Sequence, residues 1–368
     1  MKQANHQNDR AIPRVSDIES SQTFMNTTKA TIKDIARRAG VSHTTVSLVF
    51  ARGGRISEET RRKVLETAKQ LQYVPNLGAR GLRLGHSKLI GIIVNDISNP
   101  FYGGMVQIAE AAAFERGYHL LIADTQWNPE RELAAIEKMI SFQTRGILLC
   151  STEQSEFAYE RLKDARSPAV IALDTCPSSY SGCFIGNDVQ GAGEMAAEHL
   201  IQIGCRNPLF LSATKPLDKF SSFVALKKGF LKALAQNGIS NSEDRIMHSG
   251  LSVEDGHAAF HRILLTHPNV DGIFCANDMC AIGVMAAADE KGVHVGRDLA
   301  LIGIDDIPLS KVPRISLTSI RQPHEQIART AVEILIDSFE KNIRPEGVQT
   351  FRPELIVRRS SQFSRSKS

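Results

Sequence analysis

Polar and acidic residues recur along this 368-residue chain directly after short apolar, β-branched runs: Asn95-Asp96, Asp124, Ser151, Asp174, Asn277-Asp278 and Asp305-Asp306. Carboxylates and amides make directional hydrogen bonds to hydroxyl groups, so a set of them around one cleft suits a polyol such as a sugar. Each could also cap the helix that follows it, and for any single residue that accounts for it equally well; for the set together a cleft is the better reading. A second group of residues is basic. Residues 29–88 hold 13 Lys/Arg against 4 Asp/Glu, a charge of +9, while the whole chain is +4 and the remainder therefore −5. A basic segment on an acidic body suits a polyanion that meets one end only. Bond-making chemistry is not indicated: there is no Gly-x-Ser-x-Gly elbow, no HExxH, no phosphate-cradling glycine loop and no paired carboxylates at a defensible spacing. His119, His199, His248 and His257 read as isolated, structural or exposed residues. The six cysteines are scattered, without a C-x-x-C or a Cys/His cluster, and read as reduced and packed, with a redox pair of Cys176 and Cys183 as the alternative. No metal and no cofactor is expected.

The elements that must position these residues fall into two blocks. In the first, Thr31 precedes an apolar helical stripe (Ile32, Ile35, Ala36, Ala39), with Asp34 three residues on in the manner of a capping box. Gly40 ends that helix and Ser42 caps a second, from His43 to about Phe50. Val46 and Val49 face inward, leaving His43, Thr44, Ser47 and Leu48 outward. Ser57 caps a third helix, 58–72, whose Val64, Leu65, Ala68 and Leu71 complete a small core. Two short helices across a tight turn make a helix-turn-helix. A structural helical hairpin with a solvated basic face is the competing reading.

From Lys88 the rhythm changes. Apolar runs with polar ends (LIGIIVND, HLLIADT, GILLCS, AVIALD, NPLFLSA, GIFCAND, LALIGIDD) alternate with amphipathic stretches at 102–116, 129–142, 189–203, 223–237 and 281–291. That alternation predicts parallel sheets covered by helices on both faces, and the length suits two similar sub-domains. Ligands of such sheets bind beyond the carboxyl ends of the strands.

The stretch TIKDIARRAGVSHTTVSLVF, followed by YVPNLGARGLR, resembles the headpiece and hinge of the LacI/GalR family of bacterial transcription factors, and the resemblance runs to about Arg359. It implies a multidomain protein: an all-α helix-turn-helix headpiece at 31–74, a hinge helix at 75–87, and an α/β periplasmic-binding-protein-like core of two parallel-sheet sub-domains at 88–361. A disordered extension at 1–30 and a polar tail at 362–368 flank these, and Met25 is a second candidate translation start. By this resemblance His43, Thr44 and Leu48 take positions that read base edges. Thr31, Ser42, Ser47, Ser57, Thr60 and Asn76 take positions that hold the DNA backbone, and Leu82 with Arg83 enters the minor groove. Leucine at a reading position cannot make the bidentate hydrogen bonds that read guanine or adenine. Ala51 stands where many relatives have Asn, which leaves Arg52 or Arg55 to replace backbone contacts.

In the core the resemblance places Phe101, Tyr102, Asp124, Ser151, Asp174, Asn187, Asn277 and Asp305 around an effector, expected to be a sugar or sugar derivative. Two departures bear on it. The family's ligand-clamping Arg is Leu226 here, and the usual Asp-Asn pair reads Asn187-Asp188. Lys215, Lys219 and Lys227 lie nearby as a possible replacement charge, or as solvated surface lysines. The expected partners are double-stranded DNA with a pseudo-palindromic operator, a small-molecule effector and a second copy of the chain, since the leucine-repeat helix that joins dimers in some relatives is absent. No run of about 20 apolar residues spans a membrane, no secretory signal opens the chain, and a cytoplasmic location is expected. The alternatives are a regulator with a lost or non-sugar sensor, an α/β enzyme, or a sugar-binding protein. The wedge role is testable: Leu82→Ala should weaken specific operator binding far more than nonspecific binding at the same salt, and equal losses in a competition assay would remove the role.

Overall fold

A computed structural model of the chain describes residues 30–51, 54–74, 87–151, 162, 167–174, 180, 182–240 and 242–362. The extension at 1–29, the hinge residues 75–86 with Asn76, Leu82 and Arg83, and Arg52 and Cys176 lie outside the described residues. The chain divides between Leu77 and Gly78 into two compact units.

The first unit carries α1 (Ile32–Ala39), α2 (His43–Ala51) and α3 (Glu58–Gln70). Each start is fixed by a side chain that satisfies helix N–H groups which would otherwise have no partner. The Asp34 backbone N–H donates to Thr31 Oγ1 while Asp34 accepts from the Thr31 backbone N–H at 2.9 Å, closing a capping box. Ser42 accepts from Thr45 N at 3.0 Å, and Ser57 from Thr60 N at 3.2 Å. Gly40 ends α1 at φ 65°, where a Cβ would be strained. Ile35, Ala36, Ala39, Val46, Val49, Val64 and Ala68 form the core between the three helices. Leu65, read as a core residue, is 46% exposed instead: the apolar face of α3 is narrow, and Val64 and Ala68 fill it.

The second unit contains two six-stranded sheets. Its chain order is β1 (Leu89–Val94), α4 (Pro100–Glu115), β2 (His119–Asp124), α5 (Pro129–Ser141), β3 (Gly146–Cys150), β4 (Ala169–Leu173), β5 (Cys183–Asn187), α6 (Val189–Gln202), β6 (Pro208–Ser212), α7 (Ser221–Gln236), β7 (Ile246–His248), α8 (Val253–Thr266), β8 (Gly272–Cys275), α9 (Asp278–Glu290), β9 (Ala300–Ile304), β10 (Thr318–Arg321), α10 (His324–Lys341), β11 (Val348–Phe351) and β12 (Glu354–Ile356). The strand orders are β2-β1-β3-β4-β5-β11 and β7-β6-β8-β9-β10-β12. All pairings are parallel except β10 with β12, the one departure from the expected parallel sheets. The two halves repeat one topology, with the order reversing between β1 and β3 and again between β6 and β8. Such reversals open a crevice at the strand ends.

The chain crosses between the sheets three times: after β5 into α6, after β10 into α10, and from β11 to β12. The crossings touch. Asp188 N donates to Phe351 O at 2.9 Å, and the Asn187 amide donates to Gln322 Oε1. Helix α10 follows a strand of the second sheet yet packs its Ile327, Ala331, Val332 and Leu335 into the core of the first.

Helices α6 and α7 meet backbone to backbone. A Cβ added at Gly193 would stand 2.2 Å from Leu226 O, and one at Gly229 would stand 2.0 Å from Gln190 O. Gly229→Ala must therefore push the helices apart and should cost about 1–3 kcal/mol or more in denaturant unfolding. Gly103→Ala, in α4 with nothing within 4 Å of the new methyl, should be neutral or slightly stabilising. Equal effects from the two changes would discredit the close-packing account.

Candidate effector cleft and headpiece surface

The crevice between the two sheets is lined by residues from both. The first sub-domain supplies Asn99, Phe101, Tyr102, Trp127 and Asp174; the second supplies Phe223, Leu226, Asn277 and Asp305; Gln322 comes from a crossing. The cavity, partly open to solvent, is about 50 Å³, room for a few water molecules, whereas small-molecule sites typically span roughly 300–1,000 Å³. Aromatic side chains fill the difference. Trp127, the one tryptophan of the chain, stacks on Phe220 with centroids 5.5 Å apart and planes at 15°, and lies 5.7 Å from Phe223. On its own side it meets Tyr102 edge-on at 6.4 Å. Trp127 thus packs against the cores of both sub-domains. Its backbone and that of Gln126 sit at φ 58° and 52°, a left-handed pair without glycine, strained by about 1–3 kcal/mol per residue.

The carboxylates share a positive φ. Asp174, Asp305 and Asp306 have φ of 61°, 122° and 51°. Asp174 and Asp305 line the cavity, whereas Asp306 accepts from Arg321 Nε at 2.8 Å and from Arg358 Nη2. Asp305 is 5% exposed. It accepts from Gln322 Nε2 at 2.7 Å and from Asn99 Nδ2 at 3.3 Å, a bond across the crevice. Burial pushes its pKa well above the ordinary carboxylate value, the Asp278 charge adds to this, and the two amide donors hold it back. The Tyr102 hydroxyl donates to Asp174 Oδ2 at 3.0 Å. Burial and the adjacent Asp174 raise that hydroxyl well above its usual range, so it stays protonated.

Five of the eight residues expected around an effector line the cavity: Phe101, Tyr102, Asp174, Asn277 and Asp305. Asn277 also caps α9, accepting from Cys280 N at 2.8 Å, so cap and cleft are not alternatives there. Asn187 lies one layer out. It reaches Asp305 through Gln322 and lines a neighbouring hollow with Asp174, Ser222 and Arg352. Asp124 is not in the lining; its carboxylate accepts from Ile97 N at 3.1 Å and pins the loop after β1. Ser151 ends β3, fully buried and outside the lining. Leu226 is buried and presents its side chain to the cavity. Lys227 does not bring a replacement charge, because Asp218 holds it at 3.1 Å, and Lys215 and Lys219 are exposed. No Lys or Arg is in the cavity lining. Sequence reasoning overlooked Trp127 and Gln322. The signals were a lone tryptophan just past a strand end, and a polar residue before Pro323 at a crossing.

His257 is not isolated, contrary to the sequence reading: it lies 3.0 Å from Glu290 and its ring centroid is 5.0 Å from that of His261. The i, i+4 spacing of the two histidines was the legible sign.

On the headpiece, His43, Thr44 and Leu48 are exposed on one face of α2 and Ser47 is half-buried. Thr31, Ser42 and Ser57 are exposed at helix starts and Thr60 is half-buried. Helix starts of this kind present N–H groups and hydroxyls suited to phosphate.

Residues 31–76 match the model of bacterial regulatory proteins of the lacI family, and residues 197–361 match that of a periplasmic binding protein-like domain. Over 333 residues the chain is 31% identical to the HTH-type transcriptional repressor PurR of Pectobacterium carotovorum, an alignment covering 90% of this chain and 96% of that protein. The chain belongs to the LacI family. It is a DNA-binding transcriptional regulator of the repressor type with an effector-binding periplasmic-binding-protein-like body. This LacI-family chain shares its fold with the lac repressor dimer bound to operator and the anti-inducer ONPF (TM-score 0.77, 24% identity, 90% of this chain and 99% of that one). It is also similar to a periplasmic binding protein/LacI transcriptional regulator of Alkaliphilus metalliredigens complexed with D-xylulofuranose (TM-score 0.64, 27% identity, 74% and 99%). Among the described residues no helix is long and apolar enough to cross a membrane.

Next to the cleft, Asp278 is fully buried and accepts from Ser310 Oγ, Ser319 Oγ and Ile307 N at 2.6–3.0 Å. Burial raises its pKa to about 7, with the Asp306 charge adding to the rise and the three donors opposing it. A carboxyl raised in the fold contributes stability that is complete below the unfolded value and is lost as pH climbs through the folded one. Stability should therefore fall between about pH 4 and 7, and Asp278→Asn should flatten that part of the profile. Parallel pH–stability curves for the two proteins would contradict the assignment.

Proposed function

We propose that this regulator represses a sugar- or carbon-utilisation operon as a homodimer, that a neutral polyhydroxylated effector enters the cleft between its sub-domains, and that it has no enzymatic activity. The observation that carries the effector reading is the cavity's polar lining: Asp174, Asp305, Asn277 and Gln322 offer hydrogen-bond acceptors and amide donors beside an aromatic wall, without a cation. Carboxylates accept from hydroxyls, whereas a phosphate or a second carboxylate placed against them would meet like charge. Leu226 fits the same reading, since it cannot clamp an acidic group. The sugar bound by the Alkaliphilus relative is in keeping with this chemistry.

The site is too small in this closed form, so entry separates Trp127 from Phe220 and Phe223 and breaks the Asn99–Asp305 bond. Rotation about the three crossings then changes the spacing of the two hinges in the dimer. His43, Thr44 and Leu48 of each headpiece occupy a major groove, and Thr31, Ser42, Ser47, Ser57, Thr60 and Asn76 hold the backbone. Two Leu82–Arg83 pairs enter the minor groove between the half-sites, which lie about one helical turn or a multiple apart. The switch needs an effector that distinguishes the two spacings by about 1–3 kcal/mol. The cytoplasm, where operator DNA lies, is the proposed location.

The test is protection of DNA upstream of the gene and neighbouring operons, at fixed salt with nonspecific competitor, across a panel of sugars, sugar phosphates and sugar acids. A palindrome released or tightened by a neutral sugar, with a matching change in Trp127 fluorescence, is expected. Asp305→Asn should keep operator binding and weaken the effector response by about 10-fold or more. A response confined to phosphorylated or acidic compounds would exclude the neutral-polyol reading, and a response unchanged in Asp305→Asn would exclude this cleft.

A further inference from the structure

Helices α8 and α9 approach as closely as a peptide backbone allows. A Cβ added at Gly256 would stand 2.0 Å from Cys280 O, and one at Gly283 would stand 1.9 Å from Val253 O and 2.8 Å from His257 N. Backbones locked at that distance fix the bases of the side chains that flank the seam. Three of those side chains converge. His257 and His261, one turn apart on α8, both face Glu290 at the end of α9. His257 Nε2 is 3.0 Å and His261 Nε2 is 4.0 Å from the same oxygen, Glu290 Oε2. All three potential ligand atoms lie within 4.8 Å of one another, and among the described residues this is the one group of His, Cys, Asp or Glu that meets that condition. The side chains are 34%, 35% and 59% exposed, open to solvent on one side.

An ordinary ion pair explains one of these histidines but not both. At 4.0 Å the second imidazole makes no hydrogen bond, yet it is directed at the oxygen already engaged by the first. Ligands about 2.0–2.2 Å from a tetrahedral ion lie about 3.3 Å apart, and the two His–Glu spacings of 3.0 and 4.0 Å differ from that by less than about 1 Å. Two imidazoles and one carboxylate form a borderline donor set, suited to zinc rather than to calcium or magnesium.

We propose that His257, His261 and Glu290 bind one divalent transition-metal ion, zinc by choice of donors, with a fourth position left to water. None of the three lines the cleft, so the site is independent of the effector. Its consequence is a clasp across the α8–α9 seam.

The experiment is calorimetric titration of the full chain, stripped with chelator, with zinc chloride alone. One equivalent per chain is expected. His257→Ala and His261→Ala should each weaken it by at least ~10-fold, Glu290→Gln should weaken it too, and His267→Ala, outside the group, should leave it unchanged. Cobalt(II) should give visible d–d absorption that vanishes in the same three variants. Circular dichroism would verify that each variant is folded, which half-exposed positions favour. Absence of a stoichiometric equivalent overturns the proposal, and so does binding that the His257 and His261 variants leave intact.

Discussion

A carboxylate taken out of water must be given donors, and Asp305 finds them on two bodies at once. Gln322 approaches from a chain crossing and Asn99 from the opposite sub-domain. Asn187 in turn donates to Gln322, so one buried polar chain ties two crossings and both walls of the crevice to a single charge. Removing any member strands the others away from solvent, where an unpaired polar group costs about 1–3 kcal/mol. The cleft geometry is therefore held by hydrogen-bond satisfaction as much as by packing. A ligand that opens the cleft has to supply replacement partners for Asp305, which is a strong filter on its chemistry.

The aromatic contacts act in the opposite sense. Trp127 stacking on Phe220 buries apolar surface only when the walls are together. Its left-handed backbone, and that of Gln126, store strain in the same loop. Apolar burial favours closure, and opening must replace the polar chain, which a hydroxylated guest can rebuild. Near-balance of this kind is what lets a modest binding energy move a domain equilibrium.

Local signals proved legible where the physics is local. The caps at Thr31, Ser42 and Ser57 and the left-handed Gly40 need only a few neighbouring residues, and the structure forms them as the sequence implies. Strand-end acids were visible as well, but where their side chains go depends on φ values that the residue types permit without dictating. Asp124 and Asp174 both close apolar runs, yet one pins a loop and the other lines the cavity. The strands β5, β7, β10, β11 and β12 escaped notice: the last four hold only three or four residues each, and β5 (CFIGN) carries a polar end and no unbroken β-branched run. Helix α8 carried a readable start, Ser252 with Asp255 in a capping box, and the His257–His261 spacing on it was equally plain. Trp127 and Gln322 could not be placed in the cleft from sequence, because their position follows from which crossings come together.

The three crossings also determine the order in which the body can be built. The first sheet takes its last strand, β11, from residues 348–351, and its covering helix α10 from 324–341, while the second sheet closes with β12 at 354–356. Neither sub-domain is a contiguous stretch of chain. On the ribosome both remain unfinished until late in synthesis: the first lacks its edge strand β11 and its covering helix α10, and the second lacks its edge strand β12. The two halves consequently mature together, and a nascent chain halted before residue 324 has no complete half to fold.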